Sequence, residues 1–156
     1  MNLNEAFLDF LVEAKKKSYA SQGDDASVEP KLEGSQQLEF QNGDFFYRDI
    51  YFGMSYFIGQ ETVYYQEKPI WSMVYSGGVN SKQDIKDART IYSFLRKAMR
   101  EVNLDTPFRG PKQFTEGNFI YSDSHEGSIE LFKGIENISF RDEKVYRLSY
   151  SGGSIR

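Results

Sequence analysis

Apolar residues recur at three- and four-residue spacing in two stretches of the chain, and this spacing predicts two amphipathic helices. The first predicted helix covers residues 3–17, and its apolar positions are Leu3, Phe7, Phe10, Leu11 and Ala14. The second covers about residues 83–102, with an apolar stripe that runs from Ile85 to Val102. Basic residues lie near the end of both helices, where cations offset the negative end of the helix dipole.

Eight shorter stretches, several of them separated by turn-forming residues, predict eight strands. These strands are Leu38–Phe40, Phe45–Phe52, Gln60–Tyr65, Ile70–Tyr75, Gln113–Thr115, Asn118–Ser122, Ile135–Arg141 and Lys144–Tyr150. Asn42-Gly43 is typical of a hairpin turn, and we expect Gly77-Gly78 to end the fourth strand. The polar residues 20–37 predict a long mobile loop.

The order of these elements is a helix followed by four strands, twice. The predicted fold class is therefore α+β, with an antiparallel sheet and both helices packed on one face.

The second half of the chain repeats the first. When residues 57–78 are aligned with residues 132–153 without gaps, seven of 22 positions are identical, whereas about one or two identities are expected by chance. Both segments end in Tyr-Ser-Gly-Gly. Upstream, with a shift of one residue, Tyr47-x-Asp49-x-x-x-Gly53 corresponds to Tyr121-x-Asp123-x-x-x-Gly127.

We therefore predict a single domain, residues 1–156, built from two repeats of about 1–79 and 80–156. Two copies are too few for a solenoid, and they suit a closed domain with a pseudo-two-fold axis.

Strand alternation points one glutamate of each repeat toward the core. Glu136 shares a face with Ile138 and Phe140, and Glu61 is its counterpart. In the structural explanation, each glutamate accepts hydrogen bonds from amides of the Gly-Gly segment or from a tyrosine hydroxyl. In the functional explanation, the two glutamates meet near the axis, joined by Asp49 and Asp123, and form a proton-transfer pair or a hard-metal site.

Each of the other candidate residues has a functional and a structural interpretation. The aromatic residues line a pocket or pack the core, and Arg109 binds an anion or forms a local pair. The single histidine, His125, lies in the polar run SDSHEG, which predicts an exposed turn. No catalytic residue is assigned. The candidate binding residues are Glu61, Glu136, Tyr47, Asp49, Trp71, Tyr75, Arg109, Tyr121, Asp123 and Tyr150.

Composition removes several classes of function. The chain has no cysteine and one histidine, so we expect no disulfide, no transition-metal site and no cofactor. A formal net charge of −4 argues against direct nucleic-acid binding. We find no phosphate-binding loop, no G-x-S-x-G, no signal peptide and no membrane-spanning run, so we expect a soluble protein in the cytoplasm without a membrane partner.

Several motifs together resemble a bacterial family known only as a domain of unknown function. They are FLVEAKKKSYA, Y-x-D-x-Y-F-G, F-I-G-Q-E-x-V-Y, P-I-W-S-M-x-Y-S-G, G-x-I-E-L-F-x-G-x-E-x-I and V-Y-R-L-x-Y-x-G-G. Some members of that family follow a helix-turn-helix of the lambda-repressor type, so the resemblance implies a regulatory or ligand-sensing role. The family supplies no catalytic residues.

We expect a non-enzymatic module that binds a small molecule or regulates a partner, with its site near the axis. Two alternatives stay open at this point. One is an enzyme that uses Glu61 and Glu136 for acid–base chemistry, and the other is a protein-interaction or dimerisation domain.

Overall fold

Residues 3–20, 26–80, 82 and 85–156 are described by a computed structural model. The helices are α1 (Leu3–Lys17) and α2 (Ile85–Met99). The strands are β1 (Ser27–Val28), β2 (Gln36–Asn42), β3 (Phe45–Gly53), β4 (Tyr56–Tyr65), β5 (Lys68–Val79), β6 (Gln113–Glu116), β7 (Phe119–Ser128), β8 (Leu131–Phe140) and β9 (Glu143–Ser154). The first residues of the predicted second helix, 83 and 84, lie outside the described residues.

The described strands form one antiparallel sheet in the order β1-β2-β3-β4-β5-β9-β8-β7-β6. Strands β5 and β9, which end the two predicted repeats, pair at the centre with Tyr75 opposite Tyr150. Outward from this pair, β4 and β3 lie on one side, and β8 and β7 lie on the other. The prediction of an antiparallel sheet with two helices is therefore confirmed.

Both helices pack on the same face of the sheet. The ring of Phe10 in α1 stacks on Phe45 in β3 at 5.1 Å, and that of Phe94 in α2 stacks on Phe119 in β7 at 4.9 Å. We call this side the helix face and the opposite side the open face. A hydrophobic core fills the space between the helices and the helix face. No helix in the described part of the chain is long and apolar enough to cross a membrane.

The prediction that Gly77-Gly78 ends a strand is wrong, because both glycines lie inside β5 and the corresponding pair lies inside β9. A Cβ on Gly77 would clash with the backbone of Arg147 and Leu148 in the neighbouring strand, and one on Gly78 would clash with Ser55. The glycines therefore permit a close approach of backbone segments rather than a turn.

The run SDSHEG is not a turn but part of β7. Ser122, Ser124 and Glu126 are exposed on the open face, which water covers in an antiparallel sheet of this kind. His125 points to the helix face, where its ring meets Phe108 edge-on at 4.9 Å. The run is polar because alternate residues face solvent.

The predicted loop 20–37 contains regular structure. Ser27 and Val28 form β1 and pair with Leu38 and Gln37 of β2, which itself begins at Gln36. Residues 21–25 of this prediction lie outside the described residues.

Two tyrosines cross a glycine on the neighbouring strand. The ring of Tyr75 in β5 lies over Gly59 in β4, and that of Tyr150 in β9 lies over Gly134 in β8. Each tyrosine thereby reaches the third strand, where its hydroxyl meets an aspartate.

We expect Gly59→Ala and Gly134→Ala each to lower the free energy of unfolding by about 1–3 kcal/mol, because the new Cβ occupies the space of the tyrosine ring. Urea denaturation measures this change. Gly43→Asn is the matched control, because Gly43 has a φ of 59° with open space around it, and asparagine tolerates that conformation. Equal losses in all three variants would contradict the packing explanation.

Candidate functional site

Four carboxylic acids lie buried on the helix face below the two helices. Asp49 in β3 is directly opposite Glu61 in β4, and Asp123 in β7 is directly opposite Glu136 in β8. Each of the four is at most 6% exposed. We call these carboxyl groups and their donors the central network; the donors are Lys15, Tyr75, Arg109, Tyr121, Tyr146 and Tyr150.

Glu136 holds the most densely bonded position in the network. Arg109 donates to its Oε1 from Nε at 3.2 Å and from Nη2 at 2.7 Å. The hydroxyl of Tyr146 donates to the same oxygen at 2.6 Å, and the hydroxyl of Tyr121 donates to Oε2 at 2.6 Å. Burial is the largest single effect and lowers the Arg109 pKa, but the charge and hydrogen bonds of Glu136, with the nearby Tyr146 and Glu61, together outweigh it and raise the Arg109 pKa well above its usual value.

Glu61 receives its cation from a different element. Lys15 in α1 donates from Nζ to Oε2 of Glu61 at 2.5 Å, and both side chains are buried. Burial lowers the pKa of Lys15, and the charge of Glu61 opposes that shift. Trp71 occupies the position that Tyr146 holds in the other half; its indole Nε1 donates to the carbonyl oxygen of Ile129 at 3.1 Å instead of to a carboxylate.

The two aspartates each accept one tyrosine hydroxyl. Tyr75 donates to Oδ1 of Asp49 at 2.6 Å, and Tyr150 donates to Oδ1 of Asp123 at 2.8 Å. Burial, followed by the charge of the neighbouring glutamate, raises the pKa of each aspartate to about 7. Neutral pH is therefore the range in which these two groups change their charge.

Asp123 differs from the other acids in one respect. Its Oδ2 is buried and has no hydrogen-bond partner among the described residues. Its neighbour along the helix face, His125, is only half-buried. An unpartnered buried oxygen is unusual in a folded protein, since nearly all such atoms have a partner. The network thus has one acceptor position left unused, at the edge of the core.

Comparison with known families adds one match. The model of a family described as a domain of unknown function, DUF5680, matches residues 49–155. The chain belongs to the DUF5680 family. The comparisons found no match among curated proteins or among solved structures. The matched part of the DUF5680 domain includes all four acids of the central network, whereas Lys15 and α1 precede it.

The prediction that Gly-Gly amides or tyrosine hydroxyls donate hydrogen bonds to the two glutamates is correct in part for the DUF5680 domain. Tyrosine hydroxyls do bind Glu136, but the tyrosines of the Tyr-Ser-Gly-Gly segments bind the aspartates. The expected role of the Gly-Gly amides is wrong, because both pairs lie within paired strands. Arg109 does form a pair, although its partner Glu136 lies 27 residues away and is not local.

The aromatic candidates pack the core. Tyr47, Trp71, Tyr75, Tyr121 and Tyr150 are all at most 4% exposed. Among the described residues, no group of three or more histidine, aspartate or glutamate side chains is placed to hold a metal ion.

Sequence reasoning missed two donors of the central network. Lys15 follows Leu11 by four residues, so helix periodicity places it on the buried stripe, but its charge concealed it. Tyr146 shares strand parity with Leu148 and Tyr150, which places it on the helix face. In both cases the spacing along the chain indicated a buried position, whereas the residue type did not.

We expect Arg109→Leu to lower the free energy of unfolding by about 3–5 kcal/mol, because it leaves the buried Glu136 without its cation. Adding Glu136→Gln removes that charge and recovers part of the loss; urea denaturation measures both. Lys97→Leu is the control, because its pair with Glu116 is exposed and we expect a loss of at most about 1 kcal/mol. A double variant that loses the sum of the two single losses would contradict the pairing.

We expect the DUF5680 domain to lose stability as the pH rises from 5 to 7. The folded chain keeps Asp49 and Asp123 protonated up to a pKa of about 7, against an ordinary value of 3.8. The folded state therefore binds more protons in this window, so the free energy of unfolding falls with pH and levels off above 7. Asp49→Asn and Asp123→Asn should each flatten this slope in urea titrations. A wild-type stability that rises between pH 5 and 7 would be inconsistent with buried neutral aspartates.

Proposed function

We propose that this domain is a non-enzymatic module that binds a small cationic molecule at Asp123. The observation that carries the proposal is the buried Oδ2 of Asp123, which has no hydrogen-bond partner among the described residues although the other three acids of the network accept hydrogen bonds of 2.5–2.7 Å. A ligand with an N–H donor would give this oxygen the partner it lacks and would favour the ionised carboxylate.

The surroundings of Asp123 suit an organic ammonium or amidinium ion rather than a bare metal. The rings of Phe108 and Tyr150 lie 6.1 Å apart, and Phe108 also contacts His125. Aromatic side chains bind the apolar part of such a cation and add a cation–π attraction. Since the pKa of Asp123 is about 7, binding would release a proton below that pH.

The geometry gives less support to the enzyme alternative, in which Glu61 and Glu136 act as acid and base. Each glutamate has its own buried cation, and Glu136 accepts four donors that fix its position. A general acid or base needs a lone pair or proton available to the substrate. That alternative stays a prediction.

We also propose that the fold arose by internal duplication, with a pseudo-two-fold axis between β5 and β9. The strand order supports it, since β5, β4, β3 and β9, β8, β7 run outward in the same sequence. The pairing supports it too, because each repeat places an aspartate opposite a glutamate and a tyrosine over a glycine. The Asp123 site would then have a counterpart at Asp49, where Tyr51 replaces His125.

A regulatory role, a cytoplasmic setting in bacteria and an association with helix-turn-helix proteins are part of the same proposal. They rest on the sequence resemblance and on the absence of cysteine from the chain.

Calorimetric titration tests the binding proposal with benzylamine and benzamidine as probes and with benzyl alcohol as the uncharged analogue. We expect the two cations to bind and to raise the melting temperature by about 2 °C or more at saturation. Their affinity should rise about tenfold per pH unit up to pH 7 and then level off. Asp123→Asn should weaken binding at least about tenfold.

Glu126→Gln is the matched control, because Glu126 lies on the same strand but is exposed on the open face. It should bind as the wild type does. Binding of benzyl alcohol as tight as that of benzylamine, or cation binding unchanged in Asp123→Asn, would refute the proposed site.

A further inference from the structure

An exposed apolar patch occupies the open face over the first half of the sheet. It consists of Leu32, Ile50, Phe52, Ile58 and Val74, and we call it the open-face patch. Four of its members are conspicuously exposed: Phe52 at 44%, Val74 at 50%, Leu32 at 51% and Ile58 at 56%. Together they line a groove of about 480 Å³ that also includes Arg48, Thr62 and Tyr64. Contiguous apolar surface of this kind marks an interaction site more often than isolated exposed residues do.

The other half of the same sheet shows that folding does not require this patch. Phe52 and Ile58 are directly opposite each other in β3 and β4. In the alignment of the two halves they correspond to Glu126 and Lys133, which are also directly opposite each other and form an exposed ion pair at 3.6 Å. The same strand pairing therefore forms with charged side chains on the open face.

Two further patch members show the same contrast. Val74 corresponds to Ser149 and Ile50 to Ser124, and both serines are exposed. At these four positions the first half carries apolar side chains and the second half carries polar ones. The part of these side chains that stays in water gains nothing from folding. A contact outside the folded chain is the remaining benefit.

We infer that the open-face patch binds the same patch of a second copy of this chain, so that two sheets pack face to face in a symmetric dimer. This inference is independent of ligand binding at Asp123, which lies on the opposite face of the sheet. The inference depends only on the alignment of the two halves, which pairs each open-face position of one half with a position of the other.

Self-complementarity favours a second copy as the occupant. A two-fold interface brings each residue near its own counterpart, so its charges must balance within one patch. Of the described residues that line the groove, Arg48 alone is charged, and its Nε donates to the carboxylate of Glu39 at 2.7 Å. Across a two-fold axis, Arg48 of one protomer can therefore meet Glu39 of its partner without like-charge contact.

The two sheets supply the geometry of the contact. Antiparallel sheets pack face to face about 10 Å apart with interleaved side chains, as in a β-sandwich. The patch lies on the first half of the open face, and the second half carries mainly serine, asparagine and charged residues, with Ile120, Leu131 and Ile135 among them. The interface is therefore at the small end of the range for stable dimers, which predicts a reversible, concentration-dependent equilibrium.

The oligomeric state of the chain tests this inference directly. Sedimentation equilibrium from about 5 µM to about 500 µM should show a monomer–dimer equilibrium in the wild type. The double substitution Phe52→Glu with Ile58→Lys installs the ion pair that the second half carries. It should keep the fold, as measured by circular dichroism, and raise the dimer Kd at least about tenfold.

Leu131→Lys is the control for a general loss of exposed apolar surface, because Leu131 is 75% exposed but lies outside the patch. It should leave the dimer Kd unchanged. Val74→Ser copies Ser149 and should weaken the dimer even if the double variant fails to fold. A wild type that stays monomeric throughout, or a dimer that Val74→Ser and the double variant leave intact, would overturn the inference.

Discussion

The structure depends on the need to satisfy carboxylates in a core from which water is excluded. A charged or polar group that loses its hydration without gaining partners costs several kcal/mol. Glu136 meets this demand with a guanidinium and two tyrosine hydroxyls, and Glu61 meets it with a lysine. These donors come from α1, from the segment after α2 and from the neighbouring strands. The network therefore ties α1 and the segment that follows α2 to the sheet, and it links residues that are far apart in the chain.

The repeated Tyr-Ser-Gly-Gly segment has a consistent physical explanation within this network. Its tyrosine must span from β5 or β9 to an aspartate two strands away, and only a glycine on the intervening strand leaves room for the ring. Gly59 and Gly134 supply that room. The two glycines that follow the tyrosine are needed for a different reason. The backbone of a neighbouring segment approaches each of them too closely to leave room for a Cβ. The three identities Tyr75/Tyr150, Gly59/Gly134 and Asp49/Asp123 thus follow from one tyrosine side chain that crosses the neighbouring strand.

Helix periodicity, turn residues and strand alternation predicted much of this fold from the sequence. They placed both helices and the eight main strands in their correct order, and they pointed Glu61 and Glu136 into the core. The same rules failed where residue type was given more weight than spacing. Polar residues in SDSHEG indicated a turn, although alternate residues of an open-faced strand are polar for the same reason. Lys15 was overlooked because lysines at a helix end are ordinarily solvated. The partners of each acid were beyond reach, since hydrogen bonds between strands depend on register, which local patterns do not specify.

Most positions that face the core carry the same or similar residues in the two halves, whereas several positions on the open face differ. Asp49, Glu61 and Tyr75 have identical counterparts, because replacing one partner of a buried hydrogen bond leaves the other unsatisfied. On the open face, where water satisfies any polar group, an apolar pair in one half stands where the other half has an ion pair. The physical constraint therefore explains the shared residues without invoking function. Two features that it does not explain are the Oδ2 of Asp123, which has no hydrogen-bond partner among the described residues, and the apolar surface of the first half. The two binding proposals rest on these features, since each costs the isolated chain more than a residue available at the same position would.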